Sequence, residues 1–271
     1  MLSSNNPHAD WLRAERPGPL RLRIVGNDLS FATEEKSPSV LRKMIACGGW
    51  RVVEDRDAPA IVFDRRASPL SAGAINGRGI DNDKATVAAV HPGVIGWPLD
   101  VDPRAYTGQV VVKSRKNATH DGRIVTAPTE VDLGTHVAQV AINNRRGDMV
   151  QDIRVPYFAG AMPFVYFKYR PVASRFSNQN AAAAIAATSA AFDKVELGKL
   201  RAFAEACRLD YGEMDVLRDV DSGRIYVVDV NNTPAGPPNG LPAEEAVTAV
   251  RLMTSAFEAA FLVEGRSVSG S

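Results

Sequence analysis

Two acidic residues and an asparagine lie in or next to a predicted β-hairpin over residues 213–230. Its connecting residues 221–223, Asp-Ser-Gly, fit a type I turn followed by a glycine in the left-handed region. This loop predicts pairing of residues whose numbers sum to 444, which places Asp215 directly opposite Asp229. Opposed side chains share a face of the sheet, and Asn231, two positions further along, shares it too. Three oxygen-bearing side chains are therefore predicted at one place.

This group of oxygen atoms predicts a divalent metal site. Two opposed carboxylates repel each other, which costs stability unless a cation lies between them. Carboxylate and amide oxygens are hard ligands, suited to Mg²⁺ or Mn²⁺ that keeps water or phosphate oxygens in its remaining positions. The alternative is a hairpin tip whose acidic side chains are simply solvated. The β-rich runs on both sides favour the first interpretation, with Asp215, Asp229 and Asn231 as metal ligands.

A lysine in an apolar strand predicts an anionic ligand. Lys113 follows three valines, and an isolated buried lysine is costly unless it meets an anion such as a phosphate group. The alternative is a lysine at an exposed sheet edge, where its charge hinders aggregation.

Arginine residues alternate with aromatic residues in the next predicted strands. A hairpin centred on Gly160 places Arg154 opposite Tyr166, with Arg170 beyond the paired region but on the same face. Arg154, Arg170 and Arg175 are candidates to clamp a phosphate and a carboxylate through bidentate hydrogen bonds. The alternative is a surface strand whose arginines extend along apolar neighbours into solvent.

The first part of the chain predicts a small α/β unit. Residues 20–26 and 60–63 have the pattern of strands. Residues 37–47 have helical spacing, with Ser37 as N-cap and Pro38 at the first helical position. A short helix over residues 81–90 is expected to end at the His-Pro-Gly sequence that follows.

The second part predicts mostly antiparallel strands with helices, which indicates an α+β domain. The predicted strands cover residues 109–113, 123–126, 136–142, 151–158 and 164–169, and the predicted helices cover residues 192–207 and 243–261. The expected organisation is a flexible arm over 1–19, a small α/β domain over 20–80 and a larger domain over 81–265.

Composition disfavours several classes of protein. The 32 basic and 31 acidic residues leave a net charge of +1, whereas a protein that coats nucleic acid is usually far more basic. Cys47 and Cys207 are too few for a disulfide framework or a cysteine-rich zinc site. The N-terminal residues lack a signal-peptide pattern, and the most apolar run, residues 181–192, is too short to span a bilayer. We therefore expect a cytoplasmic protein without nucleic-acid or membrane partners. Composition leaves both a monomer and a homodimer as alternatives.

Several common catalytic motifs are absent from the sequence. It contains no P-loop, no complete Gly-x-Gly-x-x-Gly fingerprint, no hydrolase nucleophile elbow and no kinase His-Arg-Asp segment. The four histidines never fall at metal-ligand spacing. The predicted chemistry therefore depends on the acidic hairpin and on the cations before it.

The hairpin and the residues after it resemble the metal-binding end of the ATP-grasp superfamily. The resemblance lies in Asp215, followed by Asp229-Val-Asn231 and an Asn-Thr-Pro-Ala-Gly turn. Residues 111–113 are similar to the lysine strand of that superfamily, and residues 117–122 to its phosphate-covering loop. Segments around Asp152, Arg154 and residues 170–178 are similar to the subgroup of glutamate-adding ligases that modify ribosomal proteins, which is related to glutathione synthetases.

This resemblance implies a fold, site residues and an activity. The implied fold is an ATP-grasp domain, in which antiparallel sheets with helices enclose ATP, preceded by the small α/β domain. It implies ATP-binding roles for Lys84, Lys113, Gln139, Ala141 and Ile142, and catalytic roles for Arg154, Arg170, Arg175 and Asn178. A lysine on a helix is often only solvated, which is the alternative for Lys84.

The implied reaction uses ATP with Mg²⁺ or Mn²⁺. A carboxylate of a small molecule or a peptide attacks the γ-phosphoryl group, and an amine then displaces phosphate from the acylphosphate to form an amide. Positioning and cations suffice for such phosphoryl transfer, so the missing nucleophile motifs are consistent with it. The alternatives are a phosphotransferase of the same fold and a non-catalytic nucleotide-binding regulator. The complete set of metal ligands disfavours the regulator.

Overall fold

The computed structural model describes residues 19–64, 73–80, 82–116, 119 and 121–262. The predicted arm 1–19, apart from its last residue, lies outside these described residues, as do residues 263–265. The strands are β1 Arg21–Val25, β2 Arg51–Val52, β3 Ala60–Val62, β4 Gly108–Ser114, β5 Arg123–Ala127, β6 His136–Val140, β7 Arg145–Arg146, β8 Met149–Phe158, β9 Val165–Pro171, β10 Ala182–Ala186, β11 Tyr211–Arg218 and β12 Ile225–Asn231. The helices are α1 Leu29–Thr33, α2 Val40–Gly48, α3 Lys84–Val94, α4 Thr188–Ala191, α5 Lys194–Ala206 and α6 Ala243–Phe257, the last continuing as a π turn over Glu258–Leu262.

Three sheets organise the molecule. The N-terminal sheet is parallel and has the order β2-β1-β3. A second sheet is antiparallel, with the order β5-β4-β6. The largest sheet has six antiparallel strands in the order β10-β9-β8-β11-β12, and β7 pairs with the start of β8. The predicted fold class is confirmed, because a small parallel α/β unit precedes antiparallel sheets with helices.

The two faces of the six-stranded sheet differ in chemistry because side chains alternate along each strand. Ile153 and Met214 belong to an apolar cluster with Leu200 and Phe203 of α5. The opposite face carries the charged residues of β8, β9 and β11, next to a second apolar cluster that includes Tyr166 and residues of α2 and α6. Charged side chains thus line one face of a sheet whose other face is core.

No helix among the described residues has both the length and the apolar character that a membrane crossing needs.

Two predicted helices, over residues 37–47 and 81–90, have different boundaries in the structure, where they cover Val40–Gly48 and Lys84–Val94. Helix α2 begins at Val40, because Ser39 rather than Ser37 is its N-cap and accepts the N–H of Arg42. Helix α3 runs through Pro92 to Val94 instead of ending before it. Its last turn is held by His91, whose ring hydrogen bonds with the main chain of β12. A tertiary contact therefore outweighs the cost of an internal proline.

Strand β10 lies within the alanine-rich run and was not predicted. Alanine is a weak strand former, so propensity does not indicate a strand here. The outer edge of β10 is covered by α6 and the residues before it. The N–H of Ala183 donates to the carbonyl of Gly240, and the N–H of Ile185 donates to the Glu245 carboxylate. These bonds satisfy edge groups that would otherwise be open.

The acidic hairpin has the predicted pairing at Asp215 and Asp229 but not near its loop. Asp215 lies opposite Asp229, as the sum of 444 requires. Near the loop, however, Arg218 pairs with Ile225, so the register there is one residue shorter. A β-bulge that leaves Val228 without a partner on β11 absorbs the difference. The predicted three-residue loop was therefore wrong, and the correct pairing at Asp215 depends on the bulge.

The β8–β9 hairpin confirms the predicted pairing of Arg154 with Tyr166. Arg170 was expected beyond the paired region, but it pairs with Val150, because β8 begins at Met149. The predicted parity is correct, and Arg154 and Arg170 lie on the same face.

Candidate functional site

A cleft of ≈ 1050 Å³ lies between the β5-β4-β6 sheet and the charged face of the six-stranded sheet. We call its first wall the roof, formed by β4, β6 and the start of α3, and its second wall the floor, formed by β8, β9, β11 and β12. Eleven of the twelve predicted site residues line this cleft within the described part of the chain, the exception being Ala141. The fold thus brings together residues from 84 to 231.

Two lysines extend from the roof. Lys113 donates from Nζ to the carbonyl of Val228 at 3.3 Å, so it contacts the unpaired residue of the bulge. Burial lowers the pKa of Lys113 to about 8, although nearby Asp229 favours its charged form. Lys84 is the first residue of α3 and donates from Nζ to the carbonyl of Lys116 at 2.8 Å. Burial also lowers the pKa of Lys84.

Asp215 on the floor is held by two cations of the protein. Its Oδ1 and Oδ2 accept bonds from Nε and Nη2 of Arg154 at 2.9 and 3.0 Å. Nζ of Lys168, which is 4% exposed, donates to the same Oδ1 at 2.9 Å. Burial alone would raise the pKa of Asp215, but Arg154 and Lys168 hold it well below its usual range. Arg154, predicted as a phosphate clamp, is therefore already bound to a carboxylate.

Asp229 has different surroundings. Its Oδ1 accepts the N–H of Val230 at 3.1 Å, and none of the ion pairs between described residues involves it. Burial raises the pKa of Asp229, while Lys84 opposes that shift and Asp215 adds to it. The neighbouring Asn231 accepts the N–H of Thr233 through Oδ1 at 3.0 Å. Asp229 is thus a partly buried carboxylate near cations but without a direct partner among them.

These donors fit a magnesium ion that is bound mainly by its substrate. No three His, Cys, Asp or Glu side chains of the described residues converge on one point, so a cage of such side chains is not present there. Mg²⁺ is commonly held by one or two carboxylates plus phosphate oxygens. Asp229 and the second lone pair of Asn231 suit that mode. Asp215 has about four lone-pair positions, three of which Arg154 and Lys168 use, so it can offer one.

The two remaining arginines hold other parts of the cleft wall together. Arg170 forms an ion pair with Asp152, and its Nη1 donates to Asn180 at 3.3 Å. Nη2 of Arg175 donates to the carbonyl of Ile142 at 3.1 Å and to Oδ1 of Asn144 at 2.9 Å. Both guanidinium groups therefore already have protein partners, which differs from the free clamps that the sequence predicted.

Asn178 lines the cleft next to the loop that contains Arg175. Its side-chain oxygen accepts a bond from Gln179, and its carbonyl accepts one from Nδ2 of Asn239 at 3.5 Å. This links the loop after β9 to the proline-rich residues after β12.

The predicted phosphate-covering loop lies only partly within the described residues, since Asn117, Ala118 and His120 are outside them. Gly122 lines the cleft and packs against Phe176. A Cβ atom at Gly122 would lie 2.5 Å from Cδ1 of that ring, so any other residue would require the ring to move. The end of the loop therefore contacts the segment that contains Arg175.

An apolar slot adjoins the two lysines. Val111 and Val140 line it from the roof, and Val150 and Leu217 line it from the floor, with Ile142 between the two walls. A ligand with a flat apolar part and an anionic part fits a cleft that combines such a slot with Lys84 and Lys113.

Sequence reasoning missed three charged residues at this site. Lys168 was within reach, because it has the same strand parity as Tyr166 and Arg170. Glu213 is 3% exposed, and its nearest cation is Nη1 of Arg154 at 3.4 Å. Burial raises the pKa of Glu213 to about 6. Lys43 enters the cleft from α2 and donates to the carbonyls of Pro38 and Gly236, a contact that no local pattern indicates.

Solved structures provide the comparison with known proteins, since no family model and no curated sequence matches the chain. D-alanine–D-alanine ligase from Bacillus anthracis, complexed with ATP, has a TM-score of 0.50 and 16% identity over 89% of this chain and 96% of that chain. The ATP-grasp ligase PsnB, complexed with a variant precursor, Mg and ADP, has a TM-score of 0.48 and 11% identity over 89% and 99%. L-amino acid ligase from Bacillus licheniformis has a TM-score of 0.46 and 12% identity over 82% and 68%.

Sequence identities this low show similarity of fold alone. Among these three structures, the D-alanine–D-alanine ligase with a TM-score of 0.50 supports a fold assignment. Its match covers nearly all of both chains, so the likeness includes the N-terminal unit as well as the cleft walls. The chain therefore has the same fold as this D-alanine–D-alanine ligase.

Proposed function

We propose that the protein is an ATP- and Mg²⁺-dependent ligase that joins a carboxylate to an amine and releases ADP and phosphate. One observation carries this proposal: the cleft places an apolar slot beside two roof lysines that face the partly buried carboxylate Asp229. A nucleoside triphosphate with its metal has parts that match these groups in order. The flat base matches the slot, the phosphate groups match the lysines, and the divalent cation matches Asp229. The ATP-grasp fold supports the same ligand.

The protein would act mainly by binding and orientation. Lys113 and Lys84 would neutralise phosphate oxygens, and the low dielectric that lowers their pKa values strengthens such contacts. Asp229 and Asn231 would hold Mg²⁺, which supplies positive charge at the phosphate groups when it is bound. Arg154 and Lys168 would keep Asp215 ionised and fixed beside them.

The proposed chemistry proceeds in two transfers. A substrate carboxylate attacks the γ-phosphorus, the bond to the bridging oxygen breaks, and ADP leaves. The amine then attacks the acyl carbon, phosphate leaves with the former carboxylate oxygen, and the amine loses a proton. Holding the reactants in line accounts for a large part of such catalysis.

The acceptor substrate would occupy the other end of the cleft. That end is lined by Phe31 and Lys43 from the N-terminal unit, by Gly236 and Asn239 after β12, and by Asn180. Lys43 and the amides are suited to a carboxylate-bearing small molecule or peptide.

Turnover of ATP with pairs of substrates tests the proposal. The purified protein with Mg²⁺ is incubated with a library of amino acids, short peptides and small carboxylates, and the products are analysed by mass spectrometry. We expect ADP, phosphate and an amide in equal amounts. A phosphorylated product without an amide would show a phosphotransferase instead, and ATP binding without any product would contradict a ligase.

The Asp229→Asn variant is the matched control for this screen. It removes one carboxylate from the proposed metal site while keeping the side-chain shape. Product formation should fall sharply in the variant, and activity that persists near the wild-type level would remove Asp229 from the proposed metal site.

A further inference from the structure

Gln139 presents a fixed amide group in the wall of the cleft. It lies on β6, is 2% exposed and lines the cleft. Its strand partner on β4 is Val111, and opposed residues share a face, so the amide lies beside the apolar slot. Any ligand in the slot that carries polar edge groups meets this amide.

Asp100 decides which end of that amide faces the ligand. Gln139 donates from Nε2 to Oδ1 of Asp100 at 2.9 Å, and an antiparallel bridge joins the backbones of the two residues. A carboxylate only accepts hydrogen bonds, so it binds the NH₂ end of the amide. Burial raises the pKa of Asp100, whereas Gln139, Lys113 and Arg115 favour its ionised form.

The carbonyl oxygen of Gln139 is therefore the end left for a ligand. No donor among the described residues bonds to Oε1, although the side chain lines the cleft. A free carbonyl oxygen accepts a hydrogen bond from an amino group and repels a carbonyl group. The slot thus distinguishes bases that carry an exocyclic amine from bases that carry an oxygen at the same place.

We propose that Asp100 is a positioning residue that orients Gln139 and so makes the nucleotide site select a 6-amino purine over a 6-oxo purine. This inference rests on the proposed function, because it requires a nucleotide in the slot. Asp100 is not itself a lining residue, so it acts through Gln139.

Titration calorimetry with ATP and with inosine triphosphate tests this role. Inosine triphosphate has the same ring shape but an oxygen at position 6 and a proton on the adjacent nitrogen. The wild type should bind ATP more tightly. In Asp100→Asn, the new amide can accept from Gln139 or donate to it, so both orientations become available. We expect the ratio of the two affinities to fall about tenfold, or 1.4 kcal/mol.

Asp102→Asn is the matched control. It makes the same chemical change two residues away, at an exposed side chain that accepts the N–H of Arg104 instead of contacting Gln139. Its affinity ratio should equal that of the wild type. Gln139→Met, which has neither donor nor acceptor, provides a second test if Asp100→Asn folds poorly, and it should also lose the preference.

The outcomes separate this inference from the proposed function. Equal weakening of both nucleotides by Asp100→Asn, with an unchanged ratio, would show a purely structural role and overturn the inference alone. Equal affinity of the wild type for ATP and inosine triphosphate would also overturn the inference alone. A protein that binds neither nucleotide would overturn both the inference and the proposed function.

Discussion

The cations on the floor and on the roof of the cleft differ in the partners that they contact. On the floor, Arg154 and Lys168 are bound directly to Asp215, and Arg170 is bound to Asp152. On the roof, Lys113 donates to the main-chain carbonyl of Val228, which is a neutral acceptor. The cations of the floor are therefore paired with carboxylates of the protein, whereas Lys113 of the roof holds positive charge next to an open cleft.

This difference separates residues that maintain the wall from residues that are available to a ligand. A buried charge pair is expensive to break, because the remaining partner stays buried without compensation. Lys113, which donates to a carbonyl, breaks no ion pair when an anion enters the cleft. We infer that the floor ion pairs mainly fix geometry, and that the roof lysines and Asp229 respond to the ligand.

The largest expected effect is on stability at the floor. Asp215→Asn leaves Arg154 and Lys168 without their main counter-ion, so the free energy of unfolding should fall by about 3 kcal/mol. Asp229→Asn, its opposed partner, removes a carboxylate whose ionised form is disfavoured by burial, so its stability should equal or exceed that of the wild type. Urea unfolding of both variants measures this. Equal changes in the free energy of unfolding of the two variants would contradict the distinction between the two carboxylates.

A loss of turnover should accompany Asp229→Asn even though its fold is preserved. We expect Mg²⁺-dependent product formation to fall at least about 10²-fold, or roughly 2.7 kcal/mol, because the variant lacks the least compensated carboxylate of the metal site. Steady-state kinetics over a range of Mg²⁺ concentrations checks this. Activity near the wild-type level with an unchanged Mg²⁺ requirement would remove Asp229 from the site.

Nucleotide affinity should depend on the roof more than on the loop beside it. Lys113→Met should weaken ATP binding by about 10- to 100-fold, since it removes a partly buried cation that faces the cleft. Lys116→Met is the control, because Lys116 is exposed and its carbonyl, which accepts from Lys84, is unchanged. Calorimetry with ATP and Mg²⁺ measures both, and equal affinities in the two variants would contradict the assignment of Lys113.

The smallest expected effect concerns the seam where α3 of the roof meets β12 of the floor. His91 is fully buried there, and burial lowers its pKa below 6.5. The unfolded chain therefore takes up a proton near pH 6.5 that the folded chain takes up only at lower pH. Stability is full above pH 6.5 and is lost as the pH falls through the lower, folded pKa, by an amount on the order of 1 kcal/mol.

His91→Gln tests the seam, since glutamine can bond to the main chain of Val227 but does not titrate. Urea unfolding at pH 7 and pH 5 should show a smaller drop in stability for the variant than for the wild type. Parallel pH profiles would mean that His91 does not contribute.

Local features of the chain were predictable because they depend on neighbours in sequence. Strand parity placed Arg154 and Arg170 on one face, and the turn at Gly160 paired Arg154 with Tyr166. The hairpin pattern also placed Asp215 opposite Asp229, but that pairing is correct only because a β-bulge offsets the wrong loop length. Side chains alternate with a period of two whatever surrounds the strand, so these statements needed no knowledge of the fold.

The order of strands was not predictable in the same way. Because β8 lies next to β11, Arg154 lies beside Asp215, and the cation expected between the two carboxylates is partly the protein's own. From the sequence we predicted that Asp215 and Asp229 repel each other and that a metal ion compensates this repulsion. Sheet order depends on long-range packing, which no spacing along the chain reveals.

The sequence by itself therefore determined which side chains share a face, which lysine lies in an apolar strand, and that oxygen donors meet on one hairpin. Only the tertiary structure decided which charges are already neutralised, that Lys43 reaches the cleft from the N-terminal unit, and that Asp100 orients Gln139. The physical reason is distance along the chain. Period and turn chemistry act over a few residues, whereas the charge state of a buried group depends on partners that folding brings from far away.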